Sequence, residues 1–451
     1  MKGIPILSIS TDKKGELLTF TIEFSTLFAA YDLKVREAIV HTIVVGNGAA
    51  GNSAASAIRD LNGHVTIVSE EPFPEYNACA LKYYLSNAVS RQQLFLKTMA
   101  DYSKMGINTI LGSSVEKIDG RAQKIILTNK VLEYDKLIIA TGARVIIPKI
   151  PGTDKEGLFA LKTMGDADAI LAFPIRKLVI IGSGFIGVEA GISLRKRGID
   201  VTLVELMNRL LPRAFDRKPS QIIENFITEH GIHVLKEENV LEILGDRVVQ
   251  AVRTANREIE CDAVLVSAGM RPNVELARSA GVTIGDLGGI VTDEHMLTNV
   301  ANIYACGDCT ESKDILSDKN VLQLTWPNAV IQGKVAGYSS CGLLQEYGGQ
   351  INFIGIDIFG VHAVSIGQAP EAYLAGEGFQ IIEKTYPERY HRIIAKDGVI
   401  AGAQFIGATR DLGVLSQAIR KKFNLEKLRA TANKGQCPIM SPIFRKIIQY
   451  I

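Results

Sequence analysis

Lys177 to Glu205 reads KLVIIGSGFIGVEAGISLRKRGIDVTLVE. Leu178 to Ile181 is an uninterrupted apolar run, the pattern of a parallel strand buried on both faces. Gly182, Gly184 and Gly187 then form GxGxxG, with Phe185 and Ile186 between the last two glycines. Such a turn leaves the strand tightly, lets the backbone approach a pyrophosphate and starts a helix whose positive N-terminal end faces the phosphates. Ile186, Ala190 and Leu194 recur every four residues and give that helix one apolar face, and Gly198 suits its stop. Val201 to Val204 is a second buried strand, and Glu205 stands 18 residues past Gly187. A carboxylate there accepts hydrogen bonds from both hydroxyls of an adenosine ribose and repels a 2′-phosphate. The stretch therefore predicts a dinucleotide site that prefers NAD(H); the bland alternative is a doubly wound sheet with an ordinary tight turn.

The same pattern occurs earlier in the chain. Ala38 to Val45 is a strand, Gly46-Asn47-Gly48-Ala49-Ala50-Gly51 the turn, Ser53 to Leu61 the helix and Val65 to Val68 the second strand. Ser69 follows that strand directly, so Glu70, one residue later, is the candidate for the first ribose. The two units lie 136 residues apart. One unit binds one pyrophosphate, so two units predict two dinucleotides; a duplication with one dead site is the alternative. Each unit closes on a strand running into small residues: Leu132 to Ala140 into Thr141-Gly142-Ala143, and VLVSAGMRPN around Gly269. Val145 to Gly152 is punctuated by prolines and marks a crossover. Further on, NVANIYACGD (299–308) delivers Gly307 and Asp308 to a turn, and Trp326 to Gly333 opens a helix.

From about Gly349 the pattern changes to short strands at Ile351–Gly360, Ala363–Ile366, Phe379–Lys384, His391–Lys396 and Val399–Ile406. Helices follow at Leu412–Phe423 and Leu425–Ala430, which together read as an α+β domain. The expected fold class is α/β, with two Rossmann-like units and this third domain. The expected boundaries are an extension over 1–37, one nucleotide-binding domain over 38–150 and 285–345, a second over 151–284, and the α+β domain over 346–451. In the extension, Ile4 to Ile9 and Leu17 to Phe24 read as a hairpin.

The chain has 451 residues, 47% of them hydrophobic, and 41 glycines, which suits an α/β protein rich in tight turns. Its net charge of +2 comes from 50 basic and 48 acidic residues in an even mixture, which argues against a nucleic-acid surface or a polybasic membrane contact. No apolar run reaches the ~18 residues of a transmembrane helix. Charged residues from Asp12 to Glu16 interrupt the N-terminus before the apolar core of a signal peptide could form. The six cysteines show no disulfide spacing, so a cytoplasmic location is expected.

Taken together, these motifs resemble the FAD-dependent pyridine nucleotide–disulfide oxidoreductase superfamily over roughly residues 40 to 450. The resemblance rests on the order of four motifs: GNGAAG with Glu70, ATGA at 140–143, GSGFIG with Glu205, and IYACGD at 303–308. It implies FAD in the first unit, NAD(H) in the second and an interface role for the C-terminal domain. It further implies that Asp308 binds the ribityl chain, that Val115 meets the adenine through its backbone, and that the helix at Trp326 points its N-terminus at the flavin pyrimidine. A helix dipole there stabilises an anionic reduced flavin.

NACALKYY, with Cys79, resembles the redox-cysteine segment of coenzyme A-disulfide reductases and NADH oxidases. A cysteine opening a helix is expected to have a depressed pKa. Two departures stand out. Ala49 occupies the place of the histidine found in the first turn of NADH oxidases and peroxidases, and Met440 stands near the place of the C-terminal tyrosine of coenzyme A-disulfide reductases. GNGAAG and SEEPFPEY also resemble nitrite reductase large subunits and rubredoxin or ferredoxin reductases, in which a lysine pairs with the glutamate equivalent to Glu189. Lys82 falls one residue short of that position, about 100° around a helix, which argues against the pairing here.

These features lead to a first expectation of an NADH-dependent flavoenzyme. Hydride transfer between nicotinamide and FAD would be coupled to electrons passed to or from an iron–sulfur protein or a partner subunit of a larger dehydrogenase. The alternatives are a Cys79-dependent reductase of a small disulfide or polysulfide, and a subunit whose flavin is not catalytic. A homodimer or hetero-oligomer through the C-terminal domain is expected. Cys306 and Cys309 form CxxC but bracket the Gly307-Asp308 motif, so packing beneath a cofactor is the expected role; Cys261 and Cys341 read as apolar fillers. Cys437 could approach a partner's flavin. No histidine spacing suggests a metal site. Tyr386, Tyr390 and His391 read as a solvated loop, with a substrate mouth as the other reading.

Overall fold

The computed structural model of the chain describes residues 6–10, 19–23, 40–317, 319–367, 378–386, 389–407 and 412–424. Its first sheet has five parallel strands in the order Ile303–Ala305, Lys136–Ile139, His41–Val45, His64–Ser69 and Ile107–Leu111. The second repeats the plan with Leu158–Phe159, Ala263–Val266, Lys177–Ile181, Asp200–Glu205 and Ile232–Lys236. Ile43, Val44, Ile180, Val201 and Leu203 are fully buried, as strands covered on both faces require. In each sheet the glycine turn leads from the central strand into a helix, Ala49–Asp60 in the first and Phe185–Arg195 in the second.

The likeness extends beyond the sheets. Each unit carries a three-stranded antiparallel meander, Val115–Asp119, Lys124–Leu127 and Lys130–Glu133 in one and Val240–Leu244, Ala251–Thr254 and Glu258–Glu260 in the other. The first strand of each meander has a register break, between Val115 and Lys117 and between Val240 and Glu242. The units differ in their outermost strand. The first borrows Ile303–Ala305 from beyond the second unit, whereas the second takes Leu158–Phe159 from just before it. The two crossing segments, Ala143–Val145 and Met270–Pro272, pair antiparallel with each other.

The helix expected from Trp326 runs to Ser340 and lies along helix Ala49–Asp60. Gly333 and Gly337 make the close approach possible, since a Cβ on either would overlap the carbonyl oxygen of Ala50 or Ala54.

The C-terminal sheet is antiparallel, in the order Phe353–Ile358, Val361–Gly367, Val399–Ile406, Arg389–Lys396 and Phe379–Tyr386, with helix Leu412–Arg420 against it. Ile356, Ile358, Tyr390 and Ile406 share a core with Val188 and Phe215 of the second unit. Arg392 pairs with Asp216 at 3.0 Å, both buried. The reading of Tyr386, Tyr390 and His391 as a solvated loop is corrected here. Tyr386 ends strand Phe379–Tyr386, Tyr390 and His391 are buried within strand Arg389–Lys396, and the Tyr390 hydroxyl donates to Glu383 Oε2 at 2.8 Å. Near the N-terminus Ile6–Ser10 pairs antiparallel with Thr19–Glu23. The helix expected over Leu425–Ala430, together with Cys437 and Met440, lies outside the described residues. Among the described residues no helix is long and apolar enough to cross a membrane.

Candidate functional site

The two turns are built alike. Gly46 has φ +116° and Gly182 φ +99°, a backbone region that side chains avoid. A Cβ on Gly46 would overlap the carbonyl oxygen of Ala140, and one on Gly182 that of Ser267, so each turn is pressed against the closing strand of its own sheet. Gly51 and Gly187 sit as tightly on the carbonyl oxygens of Gly46 and Gly182. Gly48 and Gly184 are the opposite: no other atom lies within 4 Å of where their Cβ would stand. Both are N-caps of the following helices, with neither a side-chain cap nor an acid in the first turn. The helix starts at Ala49-Ala50 and Phe185-Ile186 thus present uncapped amides over a bare glycine. That cradle fits a pyrophosphate in each unit.

The acids at the strand ends are held differently. Glu70 is exposed directly after His64–Ser69. Glu205 is buried, and three donors hold its carboxylate: the Ser183 amide at 2.8 Å and hydroxyl at 2.6 Å on Oε2, and the Met207 amide at 2.8 Å on Oε1. A carboxylate accepts about four hydrogen bonds, so Glu205 braces the turn with capacity left for a ribose hydroxyl. Val115, half-buried, opens the first meander. At the crossover the Thr141 hydroxyl donates to the Asn273 carbonyl at 2.7 Å, and the Asn273 side-chain amide donates to the Thr141 carbonyl at 2.9 Å. Gly142 (φ +67°) and Gly269 (φ +112°) make the sharp exits of the two closing strands.

Cys79 sits in a single 3-10 turn, Ala78–Ala80, whose amide is capped by Asn77, followed by the short helix Leu81–Leu85. That helix packs on Phe185–Arg195 and brings Lys82 onto Glu189 in an ion pair. The angular argument against this pairing is thereby corrected. The 3-10 turn changes the rotation per residue, and a lysine stem spans the remainder. Burial works against the Lys82 ammonium, but Glu189 outweighs it and holds it above its ordinary value.

The expectation of an acidic thiol is corrected too. Cys79 is exposed on one side, yet the protein crowded around its sulfur desolvates it, and Glu189 adds to that effect. Together they raise the thiol against the pull of Lys82 and Lys162. Three residues of 3-10 turn carry little dipole to oppose this. Across from Cys79, Asp308 pairs with Lys162 at 3.0 Å. Gly307 (φ +81°) packs on Ala50, and the Gln332 side chain accepts its amide at 2.7 Å. Trp326 opens its helix with Pro327 behind it, half-buried against the first core.

Cys306 and Cys309 are fully buried, and Cys309 Sγ lies 3.2 Å from the Cys306 carbonyl oxygen. Burial lifts the Cys309 thiol to about 11 and the Cys261 thiol to about 12, consistent with packing roles. Cys341 is half-buried at the end of helix Trp326–Ser340. The structure thus brings Cys79, Lys82, Glu189, Gly307 and Asp308 to one place. Lys162 lay outside every motif, and Gln332 and Asn273 lay inside quoted strings without a role of their own; their partners are 146, 25 and 132 residues away.

Comparison with known proteins agrees with this geometry. The pyridine nucleotide-disulphide oxidoreductase family matches residues 40–333. An NADH oxidase of Methanocaldococcus jannaschii is 31% identical over 86% of this chain and 93% of its own length. The epsilon subunit of an NADH-dependent phenylglyoxylate dehydrogenase of Aromatoleum evansii is 28% identical over 87% of this chain and 95% of its own. An assimilatory nitrate reductase electron transfer subunit of Bacillus subtilis is 30% identical over 84% of this chain, which spans about half (49%) of that relative. Among solved structures, an NAD-dependent persulfide reductase from A. fulgidus has a TM-score of 0.84 and 30% identity, covering 91% of this chain and 82% of that one. The chain belongs to the pyridine nucleotide-disulphide oxidoreductase family and is an FAD-dependent NAD(P)H oxidoreductase.

Proposed function

We propose that the chain exchanges electrons between NAD(H) and an iron–sulfur protein or a partner subunit of a larger dehydrogenase, with FAD in the first unit and NAD(H) in the second. The observation that carries this reading is the setting of Cys79, in a single 3-10 turn beside the Lys82–Glu189 ion pair, where burial raises its thiol rather than lowering it. A thiol is a nucleophile only as thiolate, whereas outer-sphere electron transfer needs no nucleophile and no positioned acid. The size match to a dehydrogenase subunit supports it, as does the likeness to an electron transfer subunit.

Gly48 with the Ala49-Ala50 amides would hold the flavin pyrophosphate, Glu70 its ribose and Asp308 its ribityl chain. Gly184 with the Phe185-Ile186 amides would hold the nicotinamide dinucleotide, and the buried Glu205 carboxylate would reject a 2′-phosphate. Bound FAD supplies a centre able to take two electrons together and release them one at a time. The chain's own residues orient and shield it. The Lys82–Glu189 pair joins the segment beside Cys79 to the helix of the second turn and keeps both charges neutralised where the two cofactors meet. The dipole of helix Trp326–Ser340 presents its positive end to that region.

A second reading has its own support: Cys79 is exposed at the site, and a persulfide reductase is among the similar structures. In that case the Cys79 thiolate attacks one sulfur of a small disulfide, or the outer sulfur of a persulfide, forming an S–S bond to Cys79 as the original S–S bond breaks and the other half leaves as a thiolate. Replacing Cys79 with Ser separates the two. Electron transfer predicts that Cys79→Ser keeps NADH turnover with a one-electron acceptor within about twofold, with no long-wavelength thiolate–flavin band in the NADH-reduced parent. Loss of turnover together with loss of such a band establishes the thiol reading instead.

A further inference from the structure

We propose that the C-terminal sheet is a working part of the dinucleotide site of the second unit, with Arg392 as its positioning residue. Arg392 holds the loop 206–216, and through that loop the Glu205 carboxylate, in the form that accepts an unphosphorylated adenosine ribose. The inference rests on the reading of Glu205 as the ribose acid and adds the far end of its support.

Residues 206–216 join Glu205 to helix Arg217–Glu229. Leu206 and Met207, next to Glu205, are 64% and 50% exposed, whereas Leu210, Leu211, Ala214 and Phe215 are buried. The loop thus has an open tip at the ribose acid and a closed base. That base shares a core with Ile356, Tyr390 and Ile406 of the C-terminal sheet, and two polar ties fix it there. Arg392 Nη1 lies 3.0 Å from Asp216 Oδ2, the last residue of the loop. Gln404, fully buried, donates its side-chain amide to the Ala214 carbonyl at 3.0 Å. Just past the loop Lys218 pairs with Glu383, which itself lies 3.8 Å from Arg392.

The base is tied to the glycine turn as well. Leu211 has φ +49°, a left-handed conformation that leucine avoids, and its amide donates to the Ser183 carbonyl at 3.1 Å. Ser183 is the residue whose own amide and hydroxyl hold Glu205 Oε2. A residue other than glycine keeps such a conformation only where its surroundings over-determine it, and the C-terminal sheet is a large part of those surroundings. A continuous line of contacts therefore runs from Arg392 through Asp216, the loop base and Ser183 to Glu205. Arg209, the first basic residue after Glu205, is used by the loop itself: its guanidinium donates to the Phe215 carbonyl at 3.2 Å and the Pro212 carbonyl at 3.4 Å. Removing the Arg392 guanidinium leaves Asp216 a buried carboxylate deprived of its ion pair, which is the costly case. The base then loosens, Leu211 relaxes away from Ser183, and Arg209 is released near the ribose. Both changes favour a 2′-phosphate at the expense of a bare ribose.

The test uses the flavin-loaded protein with Arg392→Met, Arg392→Lys and Gln404→Met beside the parent. Calorimetry with ADP-ribose and with 2′-phospho-ADP-ribose reads the site without turnover, and steady-state kinetics with NADH and ferricyanide read it in action. Arg392→Met is expected to weaken ADP-ribose binding and raise the KM for NADH about five- to tenfold, and to narrow the preference over the 2′-phosphate about threefold. The kcat, the KM for ferricyanide and the flavin content should stay within about twofold of the parent, because no flavin contact is touched. Arg392→Lys is expected to restore most of the affinity. Gln404→Met should act in the same direction by about two- to threefold, and it decides the matter alone if Arg392→Met does not fold. The proposal is overturned if the folded variants bind ADP-ribose like the parent, if Arg392→Lys behaves like Arg392→Met, or if flavin content and kcat fall in step with affinity. Glu205→Gln in the same assay separates the two levels. Should it bind ADP-ribose like the parent, the reading of Glu205 itself fails; should it bind weakly while the Arg392 and Gln404 variants bind normally, only this inference fails.

Discussion

The two nucleotide units share strand order, turn, meander and even the position of a register break, yet their acids are placed oppositely. Glu70 stands free in solvent one residue beyond its strand, whereas Glu205 is buried and committed to Ser183 and Met207. The first turn is instead braced from outside, by helix Trp326–Ser340 lying on helix Ala49–Asp60 through Gly333 and Gly337. The helix of the second turn meets a shorter outside helix, Leu81–Leu85, and the turn is braced in addition by its own carboxylate. A duplicated scaffold has thus found two ways to stiffen the same loop. The external brace suits a resident cofactor, and the internal one suits a ligand that comes and goes.

The largest effect that would break this comparison comes from the pressed glycines. Gly46→Ala and Gly182→Ala each meet a carbonyl oxygen at a positive φ, a strain of order 1–3 kcal/mol before the clash is added. Gly46→Ala is expected to yield protein lacking FAD. Gly182→Ala should retain the yellow flavin spectrum but raise the KM for NADH by about a hundredfold or more. Equal loss of flavin in both would mean that the units are not independent.

Glu205→Gln comes next. Removing the charge from a carboxylate with three chain donors costs on the order of 2 kcal/mol. It is expected to raise the KM for NADH about tenfold or more and to narrow the preference over NADPH, as steady-state kinetics with both would show. Glu70→Gln should change FAD affinity only a few-fold, because Glu70 braces nothing. The smallest structural effect is expected for Gly184→Ala. Its Cβ meets nothing in the protein, so the melting temperature should stay within about 2 °C while NADH binding weakens several-fold. A large drop in melting temperature would show that the open cradle is not open.

The repeated architecture was legible because both glycine turns and all four central strands are local patterns: an apolar run, a spaced glycine set and an acid. The C-terminal strands followed for the same reason. What stayed hidden depends on distance along the chain or on small changes of local geometry. Lys82 reaches Glu189 because Ala78–Ala80 winds as a 3-10 turn, which no spacing rule for α-helices anticipates. Desolvation by the surrounding protein, with Glu189 adding to it, reverses the expected direction for Cys79. Lys162 and Asn273 meet partners more than a hundred residues away, so no window of sequence contains both halves of either interaction. Tyr390 and His391 read as loop residues, but cross-strand pairing with Ile406 and Phe405 places them inside a sheet and buries them.

The ribbon formed by Ala143–Val145 and Met270–Pro272 carries an architectural implication. The chain leaves the first unit and comes back through two adjacent strands, so the intervening segment begins and ends at a single doorway. A segment with its ends side by side can be exchanged for another of the same plan without re-routing the host. Nicotinamide specificity can then be changed by grafting a different insert, while the flavin-binding half of the molecule is left alone.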